Sequence, residues 1–359
     1  MRILGIESSC DETAAAIVED GHLLLSNVVN SQIDIHAVYG GVVPEVAARS
    51  HIEVINPVID QTLKDADLTW NDIDGIAVTY APGLVGSLLV GTLAARTLAL
   101  LKNKPLYPIH HVEAHVYANF ITDQSNEMSL QLPSKQPTFP MLALIVSGGH
   151  SQLVLFKDHG DYELLGQTQD DAVGEAFDKV AKILGLPYPG GPSIAHAALE
   201  GDPKAYVLPK AKLKGAYDFS FSGLKTAVLR AVQREVGVDT SFPSNDLAAR
   251  LNDVQRANFA ASFQRTAIET LVDKAETAFK DYFPASVVIA GGVAANQELR
   301  HQLSERLPLP IEYAPMSLCT DNAAMIATLG YFYAQKKQPT SPLDLEVIPS
   351  LSMTKTSWI

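Results

Sequence analysis

The stretch ILGIESSCDETAAAIV, residues 3–18, decides the fold class. Two apolar runs flank a polar turn, and this pattern predicts a β-hairpin. A second stretch, MLALIVSGGHSQLVLF at residues 141–156, has the same form around a turn of Ser, Gly and His. Because the two hairpins have one shape and begin about 140 residues apart, they indicate an internal duplication.

Outside the hairpins, strands alternate with helices. Residues 75–80 read as a strand, residues 285–296 as a buried strand that runs into a Gly-rich turn, and residues 321–335 as a helix. This alternation predicts an α/β protein of two lobes with a cleft between them. It is the arrangement of the actin/hexokinase/Hsp70 class (ASKHA), a duplicated ribonuclease-H-like fold. In that class the hairpin turns hold phosphates, which is an analogy of fold and not of chemistry.

The domain bounds follow from the same pattern. We predict an N-terminal lobe at residues 1–121, completed by a C-terminal helix at about residues 322–337. A C-terminal lobe that carries the ligand-binding turns is predicted at residues 139–321. Residues 122–138 are polar and interrupted by prolines, which indicates a connection, and residues 338–359 form a tail.

Composition restricts the class of function. The net charge of −13 argues against a broad basic surface for nucleic acid, so an RNA substrate would need a local patch or the help of a partner. The one region of such character, residues 204–230, interleaves lysines with aromatic residues. A solvated lysine loop explains that region equally well.

The sequence predicts a cytoplasmic protein. Its two cysteines, Cys10 and Cys319, are far apart and form no C-x-x-C pair, which favours a reducing compartment. The N-terminus runs directly into a strand without the apolar core of a signal peptide. The most apolar stretch, residues 83–101, is interrupted by small residues and suits a helix packed on a sheet rather than a membrane span.

The strongest site signal is a pair of histidines in the segment HHVEAH, residues 110–115. His111 and His115 are four residues apart on a predicted helix, so both imidazoles project from one face within reach of one metal ion. A capping or buried structural role is the alternative for each, and we expect it for His110. Val112 and Ala114 exclude the peptidase patterns H-E-x-x-H and H-x-x-E-H, which leaves a peptidase without its base.

A third metal ligand is available in Asp321, directly before an apolar helix. The local sequence by itself favours an ordinary N-cap for Asp321. A carboxylate that joins His111 and His115 would instead give a site of two histidines and one carboxylate. Such a site keeps open positions and suits Fe(II) or zinc.

Three Gly-rich turns predict a nucleotide-like ligand. They are VSGGH at residues 146–150, YPGGP at residues 188–192 and GGVAAN at residues 291–296. Glycine lets backbone N–H groups approach an anion. A tight turn needs glycine in any case, so each turn is a weak signal alone.

The first hairpin carries three acidic residues, Glu7, Asp11 and Glu12. Solvated turn acids are the simple interpretation, but Glu7 lies within an apolar strand, which favours a functional position. Asp11 and Glu12 are candidates for a general base or for hydrogen-bond acceptors of a substrate amine.

These segments resemble the tRNA N6-adenosine threonylcarbamoyltransferase family (TsaD, formerly the O-sialoglycoprotein endopeptidase family). The resemblance covers roughly residues 1–335 and rests on seven motifs in the family's order. They are GIESSCDET (5–13), HHVEAH (110–115), VSGGH (146–150), GEAFDK (174–179), YPGGP (188–192), FSFSGLK (219–225) and GGVAAN (291–296).

The resemblance implies transfer of a threonylcarbamoyl group from threonylcarbamoyl-AMP to N6 of adenosine 37 in tRNAs that read codons beginning with A, with release of AMP. It implies one Fe(II) per subunit, with zinc as the alternative, held by His111, His115 and Asp321. The family's substrate-binding positions fall on Ile145, Val146, Ser147, Gly148, Gly149, Asp178, Gly191 and Asn296.

The resemblance also implies partners, namely a degenerate paralogue that forms a heterodimer with the chain and a small P-loop ATPase. These could supply part of the tRNA-binding surface. The chain departs from the family in Ala114, where Gly is common, and in a longer connection at residues 122–138. Ala195 replaces an Asp that contacts the ligand in some members, so that contact is not expected here.

Three other functions compete with this one. A metallopeptidase would lack its base, and a sugar kinase or ATPase of the same fold would have no use for the histidine pair. A non-catalytic paralogue that serves as a scaffold would not need all three metal ligands.

Overall fold

The computed structural model of the chain describes residues 1–125 and 128–355. Asn126 and Glu127 of the predicted connection, and residues 356–359 of the predicted tail, lie outside the described residues. The chain divides into two compact units: unit 1 is Met1–Phe139, Phe156–Glu163 and Glu312–Ile359, and unit 2 is Pro140–Leu155 and Leu164–Ile311. Residues 156–163 and 312–321 thus belong to unit 1, and their predicted place in the C-terminal lobe is wrong.

Strands and helices alternate along most of the chain. The strands are β1 (Arg2–Glu7), β2 (Glu12–Glu19), β3 (Leu23–Ser31), β4 (Gly75–Ala81), β5 (Leu106–His110), β6 (Asp123–Gln124), β7 (Met141–Val146), β8 (Ser151–Asp158), β9 (Asp161–Gln167), β10 (Ser286–Ala290) and β11 (Ile311–Tyr313). The helices are α1 (Ile33–Ala37), α2 (Pro44–Asp65), α3 (Val85–Lys102), α4 (His111–Tyr117), α5 (Val173–Leu184), α6 (Gly190–Ala198), α7 (Ser222–Glu235), α8 (Asp253–Tyr282), α9 (Gln297–Arg306), α10 (Met316–Cys319) and α11 (Ala323–Lys336).

Unit 1 is built on a six-stranded sheet in the order β5-β4-β1-β2-β3-β6. The predicted first hairpin is present, since β1 pairs antiparallel with β2 and Ile6 lies opposite Ala15. β1 also pairs parallel with β4, and β4 pairs parallel with β5. The carboxyl ends of parallel strands meet at one edge of a sheet, which is where open α/β sheets bind ligands. This edge therefore brings the β1–β2 turn close to the start of α4.

Two helices cover the sheet of unit 1 closely. A Cβ on Gly5 would lie 2.3 Å from the carbonyl oxygen of Ala323, so a glycine in β1 lets α11 approach the sheet. The buried face of α3 consists mostly of small side chains, which confirms the predicted packing of an apolar helix on a sheet. By length and composition α3 would also qualify as a membrane span, but one such helix is weak evidence for a membrane.

The second sheet has five strands in the order β11-β10-β7-β8-β9. β7 and β8 are neighbours joined by residues 147–150, so the second predicted hairpin is present. β7 pairs parallel with β10, with Ile145 opposite Ala290. The Ser147 turn and the Gly291 turn consequently leave the sheet side by side.

Candidate metal centre and ligand-binding turns

Helix α4, which carries the two predicted histidine ligands, begins directly at the end of strand β5. His110 caps it: the backbone N–H of Glu113 donates to Nδ1 of His110 at 3.4 Å. The other ring nitrogen, Nε2, lies 3.1 Å from the carbonyl oxygen of Leu351. His110 therefore has the structural role predicted for it.

His111, His115 and Asp321 meet at one point in unit 1. The Oδ1 atom of Asp321 lies 3.5 Å from Nε2 of His111 and 3.3 Å from Nε2 of His115. The three ligand atoms all lie within 4.8 Å of one another. The two rings are 4.7 Å apart between centroids and nearly perpendicular, with an interplanar angle of 77°.

The hydrogen bonding of His115 supports a metal at this point. The side chain is buried, and within the described residues neither of its ring nitrogens makes a hydrogen bond. A buried ring nitrogen that makes no hydrogen bond is costly, and a metal ion would use the lone pair of Nε2. Two imidazole nitrogens and one carboxylate oxygen are a donor set that fits Fe(II) or zinc.

Asp321 is not the N-cap of the helix that follows it. Asn322 caps α11, because its Oδ1 atom accepts a hydrogen bond of 3.1 Å from the backbone N–H of Met325. The N-cap interpretation that the local sequence favours is therefore wrong. The cap of α11 lies one residue later than predicted, and the Asp321 carboxylate faces the two histidines instead.

Behind His111 lies Glu7, a completely buried carboxylate. It accepts hydrogen bonds from Nδ1 of His111 at 3.1 Å, from the backbone N–H of Ser9 at 2.5 Å and from Oγ1 of Thr79 at 2.5 Å. A carboxylate on the second ring nitrogen fixes the tautomer in which Nε2 is free to bind a metal. Glu7 thus orients the first ligand.

The charges of this centre favour a cation. Burial alone would lower the pKa of His111, but the carboxylates of Asp321 and Glu7 outweigh it and raise that pKa to about 9. Burial would raise the pKa of Glu7, yet the charge of His111 and the hydrogen bonds from His111 and Ser9 lower it. The field that holds a proton on His111 would equally attract a metal cation.

Of the predicted catalytic residues, Asp11 lies in the β1–β2 turn and Glu12 is the first residue of β2, where the turn ends, in the same unit. The backbone N–H of Gln32 donates to the carbonyl oxygen of Asp11 at 3.1 Å, and Oγ of Ser31 donates to Oε1 of Glu12 at 3.2 Å. Burial, followed by the charges of Asp321 and Asp11, raises the pKa of Glu12 to about 10. Glu12 therefore carries its proton at neutral pH unless a cation offsets the charge of Asp321.

The predicted substrate positions at residues 145–149 lie at the end of β7 in unit 2. Ile145 and Val146 are buried strand residues, and the backbone N–H of Ser147 donates to the carbonyl oxygen of His150 at 2.8 Å. A Cβ on Gly148 or Gly149 would have no neighbour within 4 Å. Internal packing therefore gives no reason for two glycines here, and their backbone is open to a ligand.

The Gly291 turn lies beside the Ser147 turn. Gly291 has a φ of +88°, and a Cβ there would lie 2.5 Å from the carbonyl oxygen of Val146. This glycine is required by its conformation and by close packing. The two turns together form a Gly-rich edge at the carboxyl ends of β7 and β10.

Of the remaining substrate positions, Asp178 and Asn296 make internal hydrogen bonds and Gly191 does not contribute a side chain. Oδ1 of Asp178 accepts from the backbone N–H of Gly190 at 2.7 Å, and burial raises the pKa of Asp178. Gly191 faces open space. Asn296 caps α9, and its Nδ2 atom donates to Oε1 of Gln264 at 3.0 Å, so its amide already has a structural role.

The lysine-rich segment at residues 204–230 has less nucleic-acid character than its sequence indicates. Phe219 and Phe221 are completely buried, and Tyr206 stacks on Phe259 with 3.7 Å between ring centroids. Lys210 pairs with two carboxylates of α8. Phe219 and Phe221 therefore belong to the core of unit 2 and are not a platform for bases.

The sequence favours a functional position for Glu7 without defining its role, and it does not single out Ser9 or Thr79. The only local signal was an acidic residue in an apolar strand. Their roles depend on the order of β1, β4 and β5 in the sheet, which brings Glu7 next to Thr79 and places His111 at the same edge.

The two-sheet architecture and the His-His-Asp centre define a class: an α/β protein of the actin/hexokinase-like fold with a candidate metal site. The fold is similar to that of full-length HypF, solved in a phosphate- and nucleotide-bound form, with a TM-score of 0.56 and 13% identity over 95% of this chain and 47% of that one. At this identity the likeness shows the fold alone, and it agrees with the predicted fold class.

Comparison with known sequences defines the family. Residues 23–328 match TsaD, tRNA N6-adenosine threonylcarbamoyltransferase, and the chain belongs to this family. It is 51% identical over 354 residues to the enzyme of that name from Thermomicrobium roseum, covering 97% of this chain and 95% of the relative. It is 49% identical over 355 residues to that from Dehalococcoides mccartyi, covering 99% and 100%. The predicted family is thus confirmed.

Proposed function

We propose that the chain transfers the threonylcarbamoyl group of threonylcarbamoyl-AMP to N6 of adenosine 37 in tRNAs that read codons beginning with A, and releases AMP. The observation that carries the proposal is that residues 23–328 of the chain match the transferase family. The grouping of His111, His115 and Asp321 in unit 1 gives this membership a chemical basis.

The proposed cofactor is one Fe(II) ion per subunit, with zinc as the alternative. Nε2 of His111, Nε2 of His115 and Oδ1 of Asp321 would hold it. When bound, the ion supplies Lewis-acid polarisation of donor oxygens. Glu7 supports this role, because a proton that is held on Nδ1 of His111 leaves the lone pair on Nε2.

In the proposed reaction, N6 of the adenine forms a bond to the carbamoyl carbon. The bond between that carbon and the phosphate oxygen breaks, AMP leaves with the electron pair, and one N6 proton is lost. An exocyclic amine is a poor nucleophile, so an acceptor for its proton assists the step. We propose that Asp11 or Glu12 is this acceptor and that the other residue is a hydrogen-bonding neighbour.

The Gly-rich edge of unit 2 is the proposed binding place for the adenosine and phosphate of the donor. The open backbone at Gly148 and Gly149 supports this, because exposed N–H groups suit a phosphate. Asp178 and Gly191 would contact the nucleoside. The amide of Asn296 would contribute through the position of the α9 N-terminus, since it is engaged with Gln264.

A protein partner of the same fold, the degenerate paralogue, is proposed to cover α3. Val85, Leu89, Leu93 and Leu100 lie on one side of this helix and are 42% to 53% exposed. Single exposed apolar residues are common on protein surfaces, whereas a continuous apolar stripe along a helix is typical of a helix that packs on a partner. A second copy of the chain is the competing occupant, and light scattering of the chain alone and with the paralogue distinguishes them.

The family also leads us to propose a small P-loop ATPase as a further component and a cytoplasmic location. The net charge of −13 supports the need for partners, because tRNA binding draws much of its free energy from basic residues. Fractionation of cells that produce a tagged chain tests the location, and identification of the proteins that co-purify with the tagged chain tests the ATPase partner.

A metallopeptidase is less well supported, since Val112 occupies the position of the zincin base. The decisive experiment is nucleoside mass spectrometry of tRNA from a strain that is depleted of its own transferase and carries this chain or Asp321→Asn. We expect threonylcarbamoyladenosine to be restored by the chain and not by the variant. Equal levels with the chain and with an empty vector would refute the proposed function.

A further inference from the structure

His51 is a completely buried histidine on α2, behind the turn that carries Asp11 and Glu12. Its Nε2 atom lies 3.0 Å from the carbonyl oxygen of Cys10, and its Nδ1 atom lies 2.7 Å from Oγ1 of Thr13. Cys10 and Thr13 are the residues on either side of the two acids. One imidazole ring therefore spans the turn.

The bonding partners define the tautomer of His51. A carbonyl oxygen only accepts hydrogen bonds, so Nε2 must carry the proton that it donates to Cys10. Nδ1 then accepts a hydrogen bond from the hydroxyl of Thr13. Burial lowers the pKa of His51, which is consistent with this neutral form. A neutral ring with both nitrogens engaged is a rigid spacer rather than a proton donor or acceptor for the reaction.

Other contacts complete the support of the turn. Oγ of Ser87 also donates to the carbonyl oxygen of Cys10, at 3.1 Å. The backbone N–H of Gln32 donates to the carbonyl oxygen of Asp11, and Nε2 of Gln32 lies 3.5 Å from Nδ1 of His51. Among these groups His51 is the one that contacts the turn both before and after the acids.

We propose that His51 is a positioning residue for the transfer reaction, which holds Asp11 and Glu12 in place through Cys10 and Thr13. The proposal rests on the proposed role of this turn. His51 is completely buried and both of its ring nitrogens are engaged within the protein, so its loss should change the rate of the chemical step more than the affinity for the donor.

The test uses two substitutions at position 51 in the full, metal-loaded chain assembled with its protein partners. His51→Phe keeps an aromatic ring of similar size and removes both hydrogen bonds. A displacement of about 1 Å in a catalytic group costs up to about 100-fold in rate. We expect His51→Phe to lower kcat by about 10- to 100-fold and to leave KM for threonylcarbamoyl-AMP within about threefold. His51→Gln, which restores a donor near Cys10, should recover part of the loss.

Thr62→Val is the matched control. Thr62 lies on the same helix and is equally buried. Its Oγ1 atom shares its proton between the carbonyl oxygens of Val58 in the same helix, at 2.8 Å, and of Ala15 in β2, at 3.1 Å, away from the acidic turn. It should lower the melting temperature and leave kcat unchanged. An unchanged kcat in His51→Phe would overturn the proposal, and so would equal losses of kcat in His51→Phe and Thr62→Val.

Asp11→Asn and Glu12→Gln separate this proposal from the one on which it rests. If either lowers kcat and His51→Phe does not, only the role of His51 is refuted. If neither lowers kcat, the role of the turn is refuted, and a positioning role for His51 is refuted with it. If His51→Phe fails to fold, a kcat of His51→Gln that equals that of the unaltered chain overturns the proposal.

Discussion

The role of Glu7 gives the sharpest prediction about the metal centre. Replacing it by Gln keeps the shape of the side chain and exchanges one carboxylate oxygen for an NH₂ group. If this group faces Nδ1 of His111, it donates to that nitrogen and moves the ring proton to Nε2, where the metal should bind. If it faces Ser9, two N–H donors oppose each other in a buried place. Either arrangement weakens the site.

The magnitude follows from what outer partners of metal ligands contribute. Losing such a partner costs about 10- to 100-fold in metal affinity, which is about 1.4 to 2.7 kcal/mol. The lost charge also weakens proton binding by His111, but a divalent ion loses more than a proton does. We therefore expect Glu7→Gln to bind zinc and Fe(II) about 10- to 100-fold more weakly at neutral pH.

Titration calorimetry of the metal-free chain measures this loss, with anaerobic conditions for Fe(II). Thr79→Val is the matched control, since it removes a neutral donor to the same carboxylate and leaves the charge and the His111 bond in place. It should change the affinity by less than about threefold. Equal affinities of Glu7→Gln and the unaltered chain, with both proteins folded by circular dichroism, would refute the reasoning.

Three further predictions concern protons, glycines and the partner. Because the pKa of His111 is raised to about 9, metal binding displaces a proton below that pH, and zinc affinity should rise about tenfold per pH unit towards pH 9 and then level off. Calorimetry in two buffers of different ionisation enthalpy measures the proton release. A zinc affinity that does not change with pH would contradict this prediction. Gly148→Ala should leave the melting temperature unchanged but weaken AMP binding. Gly291→Ala should lower the melting temperature by at least several degrees, because its Cβ would lie 2.5 Å from the carbonyl oxygen of Val146. Equal effects of the two substitutions on the melting temperature would contradict the packing described for Gly291. Leu93→Asp should abolish assembly with the proposed paralogue and leave the metal content intact, as measured by light scattering and metal analysis. Full assembly of this variant would exclude α3 as the proposed interface.

The histidine pair could be predicted because its geometry is local. An α-helix brings residues four apart onto one face, so His111 and His115 could be assigned without knowledge of the fold. Asp321 could not be assigned in this way. Its local surroundings resemble an N-cap, and only the resemblance to the family pointed to the metal.

Other parts of the site depend on long-range order. Glu7 contacts Thr79 and His111 because β1 lies next to β4, and β4 next to β5, in the sheet. In residues 204–230, composition was misleading, since Phe219 and Phe221 face the core. A pattern of aromatic residues and lysines does not reveal which side chains are buried.

The central claim is that His111, His115 and Asp321 hold a metal ion that transfer to tRNA requires. Its most direct test is a single-turnover reaction of the metal-loaded chain and its proposed partners with unmodified tRNA and threonylcarbamoyl-AMP labelled in the threonine part. We expect the label to enter tRNA with release of one AMP per group transferred, and Asp321→Asn to slow this by about 100-fold or more. Label that is released without entering tRNA, or an unchanged rate in Asp321→Asn, would contradict the claim.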